Sequence, residues 1–302
     1  MILDVPTASD FQNHGARFLN LAWDVVVRHA KSMDDFEHFG DTEDFEEDFW
    51  RAAVDDVGLA LALAHTGVDH LLKAGIASVS PFLLISSTPR EWPRGCDKDD
   101  IPFAEFRTVD SQDLVRTYNA VAPQRLPDAF LQQHDKLRRV RNRLIHTVDH
   151  RLTPAVKDLV LAVLVSTHYL AGSGSWIAMR RKGLEASPIA TLFPDSGPLP
   201  TLNQELRHVV GWLGAKELKL YVGIDKKRRL YSCPRCLEEC ERDMQEHFEG
   251  VAQLTPGGPG ARFLHCVACG EQSEVARQRC SSEGCKGNVR DPSGEVCLTC
   301  NC

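Results

Sequence analysis

The chain has 302 residues, which at roughly 150 residues per domain allows about two domains. Hydrophobic residues make up 43% and charged residues 25%, a balance that excludes wholesale disorder and fits a globular protein. The net charge is −7, yet residues 1–110 sum to −12, residues 111–232 to +9 and residues 233–302 to −4. The acidic total argues against a nucleic-acid partner, and the basic middle third restores one.

The longest weakly polar runs, residues 57–66 and 159–166, are far short of the ~18–20 residues of a membrane span. Met1-Ile2-Leu3-Asp4 is no basic leader before an apolar core. The expectation is a cytoplasmic protein with no membrane partner.

Residues 10–33 read as a helix, with Phe11, Phe18, Leu21, Ala22, Val25 and Val26 at three- and four-residue steps. Residues 34–48 hold nine acidic side chains. They read as a solvated loop leading into an acidic first helical turn, which suits the helix dipole. Residues 43–75 read as a second, long helix with Trp50, Val54, Val57, Leu61, Ala64, Val68 and Leu71 on one stripe and Gly75 as its stop. Residues 78–107, with four prolines and no sustained period, read as a long connection of the functional or mobile kind. Helix resumes over 111–121, where Ser111 is a candidate cap. Further helices are expected over 127–148 and 153–171, the last with Pro154 just inside its start and Leu159, Val160, Val163, Leu164 and Thr167 on its buried face.

The expected fold class is therefore mainly α, a helical bundle followed by a small Cys-rich module. The expected domains are a helical domain over 1–178, a linker over 179–202, a helix and basic connector over 203–230, and a metal-binding module over 231–302. The helix of that connector is read over 202–220, and Lys226-Lys227-Arg228-Arg229 is its basic end.

Ten of the 11 cysteines lie between Cys233 and Cys302, with Cys96 alone elsewhere. Without a secretion signal, clustered Cys-x-x-Cys pairs read as metal sites and not as a disulfide framework. Cys233/Cys236 and Cys266/Cys269 form one four-thiolate set in a zinc-ribbon pattern, with short strands expected over 229–232 and 262–265. Cys280, Cys285, Cys297 and Cys300 form a second set, leaving Cys240, Cys302, His247 and His265 as alternate donors. All-cysteine shells point to structural zinc, two ions per chain, because catalytic sites keep an open position. So small a module with few large apolar residues needs its metal to fold.

Residues 137–146, Leu-Arg-Arg-Val-Arg-Asn-Arg-Leu-Ile-His, concentrate Arg138, Arg139, Arg141 and Arg143 on about two helical turns. Asn142 and His146 are neighbours at i,i+4, so the amide can orient the imidazole. Arg141 offers a bidentate phosphate clamp, and His146 a proton donor or acceptor near neutral pH. The plain alternative is an amphipathic helix with arginines and a histidine on its polar face.

Arg141-Asn142-x-x-x-His146, in an all-α half-chain, resembles the motif of the HEPN family of helical nucleases. Val68-Asp69-His70-Leu71-Leu72-Lys73 is similar to an earlier helix of that family, though members more often carry glutamate near the place of Asp69. The resemblance covers about residues 10–172 and leaves out the cysteine tail. It implies a metal-independent endoribonuclease working as a homodimer or higher oligomer in a bacterial toxin or antiphage system, with an antitoxin or trigger protein as a further partner. In that reading the 2′-hydroxyl of RNA attacks the adjacent phosphorus. His146 is the general acid/base, Arg141 stabilises the phosphate charge and Asn142 orients His146. Arg138, Arg139, Arg143 and Lys73 hold RNA. Asp69 either tunes that pair or serves as a helix ion-pair partner, and His65 reads as a helix-surface or core histidine. The alternative function is a non-catalytic protein that dimerises through its helices and presents zinc ribbons to nucleic acid or protein.

Overall fold

The structure is a computed structural model. It describes residues 1–302 except 38–42, 87, 147–152, 154, 173, 195, 243–247 and 259, and except the side chains of Glu37, Glu43, Asp44, His146, Glu241 and Arg242. Part of the acidic run, Pro154 and His247 therefore lie outside the described residues. The chain divides into two units, Met1–Ser173 and Gly174–Cys302.

The first unit is helical. Its elements are β1 (Ile2–Leu3), α1 (Ala8–Glu37), α2 (Glu43–Ala52), α3 (Val54–Ala77), β2 (Ile101–Pro102), α4 (Ser111–Val121), α5 (Asp128–His146) and α6 (Val156–Ala171). Thr7 and Asp10 start α1: Thr7 Oγ1 and N donate to Asp10 Oδ2 at 2.7 and 2.8 Å, and Asp10 N donates back to Thr7 Oγ1 at 3.2 Å. This reciprocal cap satisfies free N–H groups of the first turn.

Helix α3 is the hub. Of the expected stripe, Val57, Leu61, Ala64, Val68 and Leu71 are buried and Trp50 and Val54 half-buried, while Ala60, Leu72 and Ile76 are buried on its flanks. It packs against α1, α4, α5 and α6. The closest approach is to α1. A Cβ on Gly67 would stand 2.8 Å from Leu19 Cγ, and one on Gly15 would stand 2.9 Å from the Gly67 carbonyl oxygen. Phe130 and Leu137 of α5, and Leu159, Val160, Val163, Leu164 and Thr167 of α6, complete the core.

Three expectations change. The helix expected over 43–75 bends at Ala53, where ψ is 3°. Hydrogen bonds of 3.0 Å from Ala53 N to Phe49 O and from Val57 N to Ala53 O carry the backbone through the bend. It brings Phe49 and Trp50 against His29 of α1, with ring centroids 5.8 and 6.2 Å apart. The connection over 78–107 is anchored by buried Leu84, Phe103 and Phe106, and by a short parallel pairing of Ile2 with Ile101 and Leu3 with Pro102. Ser111 is not the cap of α4. Asp110 holds that position and makes no side-chain cap bond, while the Ser111 hydroxyl turns to Asp69.

The second unit holds α7 (Ser175–Glu185), α8 (Pro188–Leu192), α9 (Leu199–Trp212), α10 (Ala215–Glu217) with a wider turn over Leu218–Val222, α11 (Pro234–Arg242), and an antiparallel sheet β3 (Ala252–Thr255), β4 (Phe263–Cys266), β5 (Gln272–Glu274). Residues 179–202, expected as a linker, hold the end of α7, all of α8 and the start of α9. A buried ion pair orders them: Arg180 of α7 donates from Nε and Nη2 to Glu205 of α9 at 2.8 and 2.6 Å. Spacing and proline content do not reveal such a long-range pair. The helix expected over 202–220 ends at Trp212. Among the described residues, no single helix is long and apolar enough to cross a membrane.

Gly67→Ala is expected to destabilise the first unit by about 1–3 kcal/mol through overpacking, although alanine favours an exposed helix by about 1 kcal/mol. Gly211→Ala in α9, where an added Cβ meets nothing within 4 Å, is expected to be neutral or stabilising. Thermal and urea unfolding of both variants checks the contrast.

Candidate metal centres and the basic helix

The eight expected cysteines gather as two consecutive quartets, Cys233/Cys236/Cys266/Cys269 and Cys280/Cys285/Cys297/Cys300, with all sulfurs of each quartet within 4.8 Å of one another. Cys233 to Cys269 and Cys236 to Cys266 are each 3.7 Å. Cys280 to Cys300 is 3.7 Å and Cys285 to Cys297 is 3.9 Å. A tetrahedral ion bound at ~2.3 Å places its sulfurs ~3.8 Å apart, whereas a disulfide requires ~2.0 Å. Both quartets therefore fit a metal ion. Among the described residues, the alternate donors are not in them: His265 is exposed on β4, and Cys240 and Cys302 stand outside both groups.

The first quartet departs from a plain ribbon. Cys266 and Cys269 sit at the β4–β5 turn as expected, but Cys233 immediately precedes α11 and Cys236 lies within it. The strand expected over 229–232 is reduced to a single bridge from Tyr231 to Ala252. Helix α11 is fixed by Glu239, whose Oε1 accepts from Leu199 N at 2.9 Å and so supplies an anion at the start of α9. Two hydrogen bonds tie the segments around the quartets: Ser232 N donates to Leu298 O at 2.8 Å between backbones, and the Asn301 side chain donates from Nδ2 to Phe248 O at 2.8 Å.

The sulfurs are prepared for a cation. N–H groups of Glu271, Ser282 and Gly287 donate to Cys269, Cys280 and Cys285 at 3.4, 3.4 and 3.3 Å, the outer-shell support that metal thiolates receive. The side chain and N–H of Ser282 bring the Cys280 thiol down to about 6. In the first quartet the Cys236 thiol holds Cys233 far below its usual value, while Cys233 pushes Cys236 and Cys266 far above theirs. Four sulfurs this close cannot all ionise without a cation among them. Gly287 leaves room for the second quartet, since a Cβ there would stand 2.9 Å from Cys297 Sγ.

Helix α5 carries the basic motif. It turns Phe130, His134 and Leu137 inward and leaves Arg138, Arg141 and Asn142 half-buried. Arg141 Nη1 donates to Asn142 Oδ1 at 3.0 Å. His146 is the last residue of α5, and its side chain lies outside the described part. Asp135, which the sequence did not single out, takes Arg138 at 3.0 Å and Arg139 at 2.9 Å. Part of the stretch's positive charge is thus offset within the helix. Arg143 is exposed. Lys73, half-buried on α3, donates to Thr108 Oγ1 at 3.4 Å. Burial lowers its pKa against the opposing pull of Asp69 and Asp110.

Asp69 faces two histidines and a serine. Its carboxylate lies 3.7 Å from His65 Nδ1 and 3.7 Å from His134 Nε2, and accepts from Ser111 Oγ at 3.0 Å. Burial raises its pKa, but His134, His65 and Ser111 outweigh that and hold the carboxyl below its usual value. His65 is a buried member of this cluster, and burial keeps it neutral despite Asp69, with His134, Arg141 and Arg138 adding to the effect. No sequence pattern flagged His134. The spacing of His65 and Asp69 on one face of α3 was the available signal, and their partner comes from another helix.

His70, also on α3, donates from Nδ1 to Thr66 O at 2.9 Å, and burial lowers its pKa from 6.5. The unfolded chain therefore takes a proton near pH 6.5 that the folded chain refuses, so stability falls as the pH drops through that value. The melting temperature of the first unit is expected to decline from pH 7.5 to 5.5, and His70→Gln to flatten the slope. Chelation is expected to unfold residues 231–302 and leave the helical unit's circular dichroism in place. Cys266→Ser should lower bound metal by one ion per chain by elemental analysis. No protein-family model, curated protein or solved structure matches the chain.

Proposed function

We propose that the chain is a metal-independent endoribonuclease of the HEPN type, acting as a homodimer or higher oligomer in a bacterial toxin or antiphage system. The observation that carries the reading is the contact of Arg141 with Asn142 on the half-buried face of α5. A guanidinium held by a neighbouring amide is oriented before substrate arrives, which lowers the cost of ordering it on a phosphate.

In this reading Arg141 stabilises the charge that grows on the phosphate oxygens as the RNA 2′-hydroxyl attacks. His146, one turn beyond Asn142, accepts the hydroxyl proton and returns one to the leaving 5′-oxygen, directly or through the partner subunit's copy of the motif. The 5′ fragment then ends in a 2′,3′-cyclic phosphate. Arg138, Arg139, Arg143 and Lys73 supply the attraction for the RNA backbone.

The cysteine quartets fit zinc, which suits an all-thiolate tetrahedral shell and does no redox chemistry. Two zinc ions would hold the module that recruits substrate, a trigger or an antitoxin. A cytoplasmic location follows from the activity proposed, because its RNA substrates are there.

Purified wild-type protein is expected to cleave RNA during brief EDTA treatment and leave cyclic-phosphate ends. His146→Ala and Arg141→Ala are each expected to lower the rate by about a hundredfold or more, with helical content unchanged. Wild type should be toxic to cells and His146→Ala harmless. Equal toxicity of the two, with no cleavage by either, would favour the non-catalytic binding protein.

A further inference from the structure

A third cluster of metal-ligating side chains lies apart from both cysteine quartets. His65 and Asp69 lie one turn apart on α3, and His134 comes from α5. One ring nitrogen of each histidine and a carboxylate oxygen lie within 4.8 Å of one another. We propose that His65, Asp69 and His134 form a binding site for one divalent transition-metal ion.

Burial and an unpartnered atom carry the argument. The side chains of His65, Asp69 and His134 are 3%, 16% and 7% exposed. The two histidine–carboxylate separations of 3.7 Å are too long for hydrogen bonds. His134 Nε2 is buried and has no hydrogen-bond partner among the described residues. A buried ring nitrogen left this way is costly, and an ion between it and the carboxylate satisfies both. Ligands at ~2.1 Å from a tetrahedral ion stand ~3.4 Å apart, so closing the site asks for only small side-chain movements.

The surroundings hold the donors in place. His134 stacks between Phe130 and His65, with centroids 5.8 and 5.7 Å away. Ser111 Oγ lies 3.0 Å from Asp69 Oδ1 and 3.4 Å from His65 Nε2. It therefore touches both the carboxylate and the His65 ring nitrogen opposite the one nearest Asp69, the place an outer-shell partner would take.

Two imidazoles and one carboxylate select a zinc-, cobalt- or iron-like ion over magnesium or calcium, which prefer all-oxygen shells. Three protein donors leave at least one position for water or a ligand. Arg138 and Arg141 on α5 and Lys73 on α3 oppose the cation, and Asp110 near Lys73 offsets part of this. The site should therefore bind more weakly than the thiolate quartets, which carry several negative charges each.

The test uses the full chain with both cysteine quartets loaded with zinc. Titrated cobalt(II) is expected to give visible absorption that saturates at one equivalent per chain, without the intense sulfur-to-metal bands of a thiolate site. His134→Ala and Asp69→Asn, each confirmed as folded by circular dichroism, are expected to weaken this binding at least tenfold. If His134→Ala fails to fold, the nearly isosteric Asp69→Asn reads the site alone. Absence of saturable absorption in wild type, or unchanged binding in a folded variant, overturns the proposal. The readout is metal occupancy, so it stands or falls apart from the nuclease reading.

Discussion

Helix α3 has to be covered along the broad face that carries Val57, Leu61, Ala64, Val68, Leu72 and Ile76, while Asp55, Asp56 and Leu59 stay exposed. That requirement organises the first unit. Helix α1 comes closest, and it can do so only because Gly15 and Gly67 remove the side chains at the crossing. Helices α4, α5 and α6 take the remaining faces. Each donates its apolar stripe and is thereby rotated so that its polar stripe faces outward or lies along the seam. The half-buried position of Arg141 and Asn142 is a consequence of burying Phe130 and Leu137, not an independent feature of α5.

The same packing brings polar groups together at the seam. His65 and Asp69 interrupt the apolar surface of α3 where α5 and the start of α4 approach. Burial makes an isolated carboxylate expensive, so Asp69 needs company, and His65, His134 and Ser111 provide it. The carboxylate remains the ionised member and the imidazole of His65 the neutral one. This assignment of charge suits both a metal ion and a proton-handling group. It also places the one carboxylate the family resemblance singles out next to partners the resemblance does not mention.

The second unit solves a different problem. It has few large apolar side chains over residues 231–302, and the two quartets, which fit metal ions, offer cross-links that would supplement the small core of Leu237, Val251, Leu264, Val275, Val289 and Leu298. The quartets are linked by a backbone hydrogen bond from Ser232 to Leu298, and α11 is held by Glu239 at the start of α9. The Arg180–Glu205 pair fastens α7 to α9 at almost complete burial. Breaking one partner of such a pair strands a charge, so the pair demands that the two helices stay in register.

The sequence by itself determined the helices of the first unit and the membership of both cysteine quartets. Helical periodicity and Cys-x-x-Cys spacing are local signals, and burial or a shared ion turns them directly into structure. It also placed Arg141, Asn142 and His146 on one helix, with Asn142 and His146 as i,i+4 neighbours, whereas the bond from Arg141 to Asn142 came from the structure. Local signals end there. The bend at Ala53, the pairing of Ile2 with Ile101, the helices within residues 179–202 and the release of Ser111 from capping all depend on partners distant in the chain. His134 shows the reason most plainly. Its sequence neighbours make it one more inward-facing residue of α5, and only the packing of α5 on α3 sets its unpartnered nitrogen against Asp69. Tertiary structure decided that chemistry because proximity between helices comes from burying their apolar faces, and the polar residues are carried along.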